Sequence, residues 1–478
     1  MSAGRFWEET HHWFNPFEPV SLEQPQLHAQ RDPRYNPILK LERELRLTND
    51  FSRFLLTGTI GNGKTSELNY FASRLTEHRI VVLIDLWAHI QSNVRDENAL
   101  DHLEMWELLG LIGVAVHQAG TERFGHRWTG QTEQLQRALE KLREAEEVGG
   151  GAEIDVVELG RGMSVAAGGL VGAAFGGAVG AAVGGVIGEA GVAAAETLAR
   201  TVADASKWTW KVGLPGTKRR DDQDSDVRRL LNAVNDLLGA LQQAYGRRLL
   251  LVLDGLDRIR APKRTQALFV DSRLLGNLEC DQLITVPLML MRRQGQNVEH
   301  FTVKDLHNIP VLRRDAPLDS ARPGPGLNFF RELVAKRVAW IGEQLAAQGV
   351  TAPADPLPET AVNRLAYYSG GLARDFIKLV RLAALEALDQ GVDRVDDDIV
   401  DRVLREARED KEYFMSSREI ALPETVMNDP DHRLPDDGPA LELLVQRRLL
   451  AYPNETTWYF PHPLLTLALL KPRGGSSA

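Results

Sequence analysis

Residues 54–75 read FLLTGTIGNGKTSELNYFASRL, and this stretch limits the fold more than any other in the chain. Phe54, Leu55 and Leu56 make a short apolar run of the kind that forms a buried strand. Gly58, Gly63, Lys64 and Thr65 then fill the spacing G-x-x-x-x-G-K-[ST], and an amphipathic helical run follows. Glycines let backbone N–H groups wrap a phosphate, and the helix behind them adds the positive end of its dipole. Lys64 is suited to reach the β- and γ-phosphates of ATP, and the Thr65 hydroxyl to hold Mg2+. The expected nucleotide contacts are Gly58, Gly61, Gly63, Lys64, Thr65 and Ser66. Strand, loop and helix in that order predict an α/β fold with a mainly parallel sheet and nucleotide at the carboxyl ends of its strands.

Such a loop needs a second strand that ends in a carboxylate for the metal. RRLLLVLDGLDRI supplies one: Leu249 to Leu253 are apolar and Asp254 follows. Asp254 is therefore expected to join Thr65 as a Mg2+ ligand, acting through water. Gly255 comes next, so Asp257 is the nearest carboxylate able to polarise attacking water. Further strands are predicted over Arg79–Trp87, Asp281–Met291 and, as the last, Leu306–Leu312. Arg292 and Arg293 follow the second of these, and read either as phosphate contacts or as surface arginines.

On these residues the chain resembles the STAND and AAA+ ATPases of the P-loop class. STAND proteins often carry D-[GAS]-x-[DE] at the second strand, and Asp254-Gly255-Leu256-Asp257 matches it. The KAP group is similar through D-x-L-D-R, matched by Asp254 to Arg258, and through membrane segments set between the two nucleotide motifs. Many AAA+ proteins place a glutamate directly after the strand carboxylate. Gly255 stands there instead, so the resemblance implies slow turnover, with Asp257 as the base. After the break at ARPGPG, helical periodicity runs through residues 328–348 and 359–388 and resembles an AAA+ lid. In that family G-G-x-x-R opens a lid helix and aims its arginine at the γ-phosphate. Gly370, Gly371 and Arg374 match the pattern. The tail reads helix, strand, turn at Pro453-Asn454, strand and apolar helix, an order that suits a winged-helix domain. Arg447 and Arg448 are the only basic pair on its helix, so protein packing is favoured over DNA.

Between the two nucleotide motifs lies an uncharged run, Ser164 to Gly188, in which Gly168, Gly172, Gly176, Gly180, Gly184 and Gly188 recur every fourth residue. On a helix they form one bare stripe, and Gly169, Ala173, Gly177, Ala181 and Gly185 form a second beside it. A helix of that length is roughly 37 Å long, enough to cross a bilayer. A permanent single pass is excluded, because it would put Lys64 and Asp254 on opposite membrane faces. Residues 190–210 carry Glu196, Arg200, Asp204 and Lys207 and make a poor second span, which weakens the KAP likeness. Three readings stay open: a segment released on activation to attack membranes, a packing helix at the axis of a soluble oligomer, or a low-complexity linker. Trp208 and Trp210, flanked by Lys207 and Lys211, have the character of interfacial anchors.

The formal charge of −10 and the isoelectric point near 5.7 argue against a general trap for nucleic acid. The single cysteine, Cys280, excludes an intramolecular disulfide and has no metal-site neighbours in sequence. The N-terminus lacks a basic stretch followed by an apolar one, and His11 and His12 read as surface residues, so a cytoplasmic protein is expected, membrane-associated only on activation. The divisions read as 1–45, an N-terminal segment; 46–147 and 221–320, the two parts of the ATPase core; 148–220, the glycine insert; 321–412, the lid; and 413–478, the winged-helix-like domain. The expected function is an ATP-binding and hydrolysing oligomeric switch, with homo-oligomers, lipid contact through 164–188 and a protein effector as partners. The family resemblance implies a role in anti-phage defence. The competing readings are an origin-recognition-like AAA+ regulator on DNA and an ATPase subunit that gates a separate effector.

Overall fold

The computed structural model describes residues 2–93, 98–144, 152–155, 211–214, 224–290, 298–413, 415–435 and 438–471. Its contacts divide the chain into two compact units, one of Leu41–Thr57 with Phe71–Lys304 and one of Met1–Lys40, Gly58–Tyr70 and Asp305–Ala478. The glycine-rich run 164–188, Trp208, Trp210, Arg292 and Arg293 all lie outside the described residues.

The first of these units is built on a sheet. Strands β1 (Arg53–Thr57), β2 (Ile80–Asp85), β5 (Leu249–Asp254), β6 (Asp281–Thr285) and β7 (Thr302–Asp305) lie in the order β2-β5-β6-β1-β7. The pairs β2–β5, β5–β6 and β1–β6 are parallel, so four strands end on the same edge. Every residue of β5 and β6 is buried, as expected of central parallel strands covered on both faces. This is the α/β arrangement of a P-loop ATPase fold, with the glycine loop following β1. The expected strand Asp281–Met291 stops at Thr285, because Pro287 has no N–H to give to a ladder. The expected last strand at Leu306–Leu312 is not one: β7 ends at Asp305, and the next residues make irregular bonds described below.

Helices Met105–Glu122, Gln131–Glu144 and Ser225–Tyr245 pack together beside the sheet. A Cβ on Gly110 would stand 2.9 Å from Leu139 Cδ2, and one on Gly113 2.9 Å from both Leu135 and Val234. These two glycines therefore allow the helices to approach closely. At the other edge of the sheet Asp281, fully buried, accepts from Ser52 N at 2.9 Å and pairs with Arg79 and Arg248. Cys280 beside it is buried and unbonded to sulfur, and burial pushes its thiol pKa up. A separate ribbon pairs β3 (Ala152–Asp155) antiparallel with β4 (Lys211–Leu214), Ala152 opposite Leu214.

The other unit is mainly helical. Helices Leu327–Ala347, Glu359–Tyr368, Ala373–Gln390 and Asp397–Glu412 share a core with the N-terminal helix Ser2–Trp13, which buries Phe6 and Trp7. Trp7 Nε1 donates to Val392 O at 2.7 Å, and Arg337, its pKa lowered to about 10 by burial, donates to Trp13 O at 2.7 Å. The helices Ser417–Asn428 and Gly438–Val445 precede an antiparallel ribbon of β8 (Leu449–Tyr452) and β9 (Trp458–Pro461). The apolar helix expected after β9 is a single turn, Pro463–Thr466. Too few residues separate Pro463 from Pro472 to recover the cost of helix nucleation. Among the described residues, no helix is long and apolar enough to cross a membrane.

Replacing Asp281 with alanine should destabilise the chain by roughly 3–5 kcal/mol, because two arginines lose their buried counter-charge. Urea unfolding of Asp281→Ala measures this, and a loss below about 1 kcal/mol would show the pair to be dispensable.

Candidate nucleotide-binding site

The loop from Gly58 to Gly63 turns on three left-handed glycines, with φ of +149° at Gly58, +90° at Gly61 and +96° at Gly63. Side chains rarely accept such angles, so the motif's glycines are dictated by the backbone path. A Cβ on Gly58 would also overlap the Leu306 carbonyl, and one on Gly61 would stand 3.1 Å from Arg374 Cβ. Lys64 is buried, and its Nζ donates to Gly58 O at 2.8 Å and Thr59 O at 3.1 Å. Thr65 is half-buried in the first turn of the helix Lys64–Leu75. Ser66 Oγ accepts from Val20 N at 3.1 Å, so this hydroxyl also ties the N-terminal segment to the loop.

A buried ion pair braces the loop from behind. Glu67 accepts from Arg31 Nε at 3.1 Å and Asn36 Nδ2 at 2.9 Å, and His28 Nε2 lies 3.3 Å away. Burial pushes Glu67 up, but His28, Arg31 and Asn36 outweigh it and hold its pKa below the ordinary value. The remaining Arg31 donors go to His307 O, at 2.9 Å, and to Asn62 O inside the loop. Asn62 Nδ2 donates to Leu306 O. The residues that follow β7 are thus bonded to the phosphate-binding loop.

Arg374 opens its helix beside the same loop. Its amide donates to Gly61 O at 2.9 Å, its Nε donates to Pro16 O at 3.1 Å, and its guanidinium lies 5.9 Å from the Phe17 ring centre. The preceding glycines are required here. Gly370 and Gly371 have φ of +64° and +77°, and a Cβ on Gly371 would overlap Ile309 O. Ile309 N donates to Gly371 O at 3.1 Å, and Tyr452 Oη donates to Gly370 O at 2.9 Å.

Asp375, the next residue, collects three cationic or protonatable groups: Arg447 Nη1 at 2.9 Å, Lys411 Nζ at 3.1 Å and His462 Nε2 at 3.4 Å. Burial pushes the Asp375 pKa up, yet Lys411, His462 and Arg447 hold it well below the carboxylate range. His462 itself is pushed down to about 4, by burial first and then by Lys411. It is held as neutral imidazole, with Nδ1 accepting from Leu464 N at 3.3 Å. Arg447 and Arg448 are therefore not a basic pair on a helix face. Their helix ends at Val445, Arg447 has φ of +60°, and Arg448 pairs with Glu419.

The sheet-bearing unit carries the acidic residues. Asp254, 3% exposed, accepts from Gly255 N at 2.8 Å and from Thr285 Oγ1 at 3.0 Å. Asp85 pairs in register with Asp254 at the end of β2. Burial raises the Asp85 pKa and the charge of Asp257 adds to that, opposing the bond Asp85 accepts from Ala88 N. Asp257 is half-buried in the turn Leu256–Arg258. Gly255 has φ of +92°, and a Cβ there would lie 2.5 Å from Trp87 N. That position cannot hold the glutamate many AAA+ proteins use. Among the described residues, no group of three or more His, Cys, Asp or Glu side chains is arranged to hold a metal by itself.

Arg31, Glu67 and Asp375 were not singled out from sequence. Glu67 had one signal, an acid in the first turn of the phosphate-binding helix. The partners of Asp375 are too far apart in the chain to be read as a group.

No protein-family model matches the chain, and no curated protein does. Among solved structures it is similar to the Orc1 protein of Aeropyrum pernix in complex with DNA, at 13% identity and a TM-score of 0.38 over 92% of this chain and 94% of that one. It is also similar to a Walker-type ATPase of Pyrococcus abyssi, at 12% identity and a TM-score of 0.38 over 95% and 98%. A third likeness is to the Drosophila ORC bound to DNA, at 11% identity and a TM-score of 0.33 over 86% and 72%. Likenesses this distant carry no conclusion about this chain.

The depressed His462 pKa has a defined sign. The unfolded chain takes up that proton more readily, so stability falls as pH drops from 6.5 toward about 4. Asp375 adds a further loss at still lower pH, as it is protonated below the ordinary carboxylate value. His462→Gln should flatten the first loss, read as urea midpoints across that pH range. An unchanged slope would assign the acid sensitivity elsewhere.

Proposed function

We propose that the chain is an Mg-ATP-dependent switch whose nucleotide state is passed to its C-terminal helices and ribbon. The observation that carries this reading is the bond from the Arg374 amide to Gly61 O, with Asp375 next in line and tied to Lys411, Arg447 and His462. Gly58, Gly61, Gly63 and Lys64 hold the phosphates through backbone N–H groups and the ammonium group, and Ser66 supports the helix start. Thr65 and Asp254 each offer a hard oxygen donor of the kind Mg2+ takes, and the ion would neutralise charge on the phosphates when bound. Asp257 orients the attacking water. Lys64 exchanges its two loop carbonyls for phosphate oxygens, and Arg374, permanently charged, answers the terminal phosphate. A change at Arg374 then moves the Asp375 cluster, and with it the ribbon that carries Tyr452 and the residue after it, His462.

The wider reading keeps the division into ATPase core, insert 148–220, lid and winged-helix-like tail. Assembly into a homo-oligomer runs through residues 164–188, with membrane disruption or a protein effector as the output and anti-phage defence as the setting. DNA binding through the tail is disfavoured, because Arg447 and Arg448 are both engaged in ion pairs.

Lys64→Ala should abolish ATP binding. Asp257→Asn should keep binding and lower single-turnover hydrolysis by about 100-fold or more, in the range of a lost general base. Hydrolysis at the normal rate in Asp257→Asn would remove Asp257 from the mechanism. Leucine at Gly172, Gly176 and Gly180 together should prevent nucleotide-dependent assembly in sedimentation experiments while ATP binding persists, and unaltered assembly would exclude the zipper role.

A further inference from the structure

Residues 15–18 read Asn-Pro-Phe-Glu and form a tight turn. Glu18 N donates to Asn15 O at 3.3 Å, and Phe17 N donates to Asn15 Oδ1 at 3.1 Å. Asn15 Nδ2 donates in turn to Glu18 Oε1 at 2.6 Å. Proline at the second position presets the backbone, and asparagine at the first closes the turn with its own side chain. The chain is pinned on both sides. Before the turn, Phe14 is fully buried under Arg337, whose guanidinium lies 5.2 Å from the ring centre. After it, Val20 N donates to Ser66 Oγ at 3.1 Å, and Val20 O accepts from Asn69 Nδ2 at 2.9 Å. Ser66 and Asn69 belong to the helix that follows the phosphate-binding loop.

This turn meets Arg374 within the same compact unit. Pro16 O accepts from Arg374 Nε at 3.1 Å, and the guanidinium lies 5.9 Å from the Phe17 ring centre. A guanidinium carries its five donors in one plane, so fixing Nε and one face directs the rest. The backbone of Arg374 is fixed as well, by its amide on Gly61 O. Phe17 itself is 78% exposed. A ring so exposed gives the fold little burial energy, which separates any effect on Arg374 from an effect on folding.

We propose that Phe17 is a positioning residue for Arg374, and that the turn aims the guanidinium at the terminal phosphate before nucleotide arrives. This rests on the reading of Arg374 as the group that answers that phosphate. A mobile arginine loses side-chain freedom when it engages a ligand, and one already held in place has less to lose. The Phe17 ring attracts the cation through its π face, while the Pro16 carbonyl sets the rotation of the guanidinium plane. The chain leaving the turn is bonded to Ser66 and Asn69, so the aim of Arg374 is tied to the phosphate-binding helix as well as to its own.

The test measures affinity for a non-hydrolysable ATP analogue and for ADP, using the full chain as wild type, Phe17→Leu, Phe17→Tyr and Arg374→Ala. Arg374→Ala should shift the ratio of the two affinities against the analogue by about tenfold or more, as for a lost hydrogen bond to a charged group. Phe17→Leu, apolar but without a π face, should shift it the same way by roughly two- to fivefold, at unchanged ADP affinity and melting temperature. Phe17→Tyr should keep the wild-type ratio. Added to Arg374→Ala, Phe17→Leu should have no further effect. A wild-type ratio in Phe17→Leu, or an additional loss in the double variant, overturns the positioning role. So does a joint fall in ADP affinity and melting temperature, which would mark the ring as a structural support. Failure of the underlying reading looks different: Arg374→Ala would then keep the wild-type ratio.

Discussion

The Asp375 carboxylate is the point on which the helical unit depends. It gathers Lys411 from one helix, Arg447 from the turn before β8 and His462 from the chain after β9, and it adjoins the arginine whose amide rests on Gly61. Taking a carboxylate out of water is costly unless its partners are well placed. Three of them converge here, and burial in turn lowers the pKa of Lys411 and His462. Such a cluster tolerates few alternative arrangements. The tail is consequently attached to the start of the Arg374 helix as one piece, and a shift at that helix is delivered to β8 and β9 with little slack.

The loop itself is held on the same principle, by Arg31 and Glu67, but with a different division of labour. Glu67 fixes the arginine in place, while the arginine's other donors clamp the loop and the chain after β7. The sheet shows how strand length places chemistry. Strand β5 is apolar through Leu253 and then ends in Asp254. Its neighbours end in Asp85 and Thr285. Each of these three strands ends in a polar residue, so Asp85, Asp254 and Thr285 gather along a single edge of the sheet.

Much of this was legible from the residues. The runs at Phe54, Arg79 and Leu249 became β1, β2 and β5, because parallel strands covered on both faces are continuously apolar. The glycine loop, the strand carboxylate and the helix break at Gly370-Gly371 could be read because each depends on local backbone geometry. Strand β7, Thr302-Val-Lys-Asp, lay on an edge and carried no apolar signal. Leu306–Leu312 misled for the opposite reason. It is apolar and buried, but Val311 O accepts from Gly324 N and Ile309 bonds Gly371, so no strand partner is involved. Arg447 looked available because sequence shows its charge and hides Asp375.

The ribbon of β3 and β4 sets a condition on whatever lies between them. Ala152 faces Leu214 and Asp155 faces Lys211, so the chain leaves and re-enters at points about one strand spacing apart, roughly 4.8 Å. The closure entropy of the intervening residues is met at this ribbon, and it grows only slowly with loop length. The spacing of its two ends is therefore set by the ribbon whatever the length of the excursion. In evolutionary terms the ribbon is a socket: two strand ends held side by side, at which a segment of different length can join without changing the spacing of its attachment points.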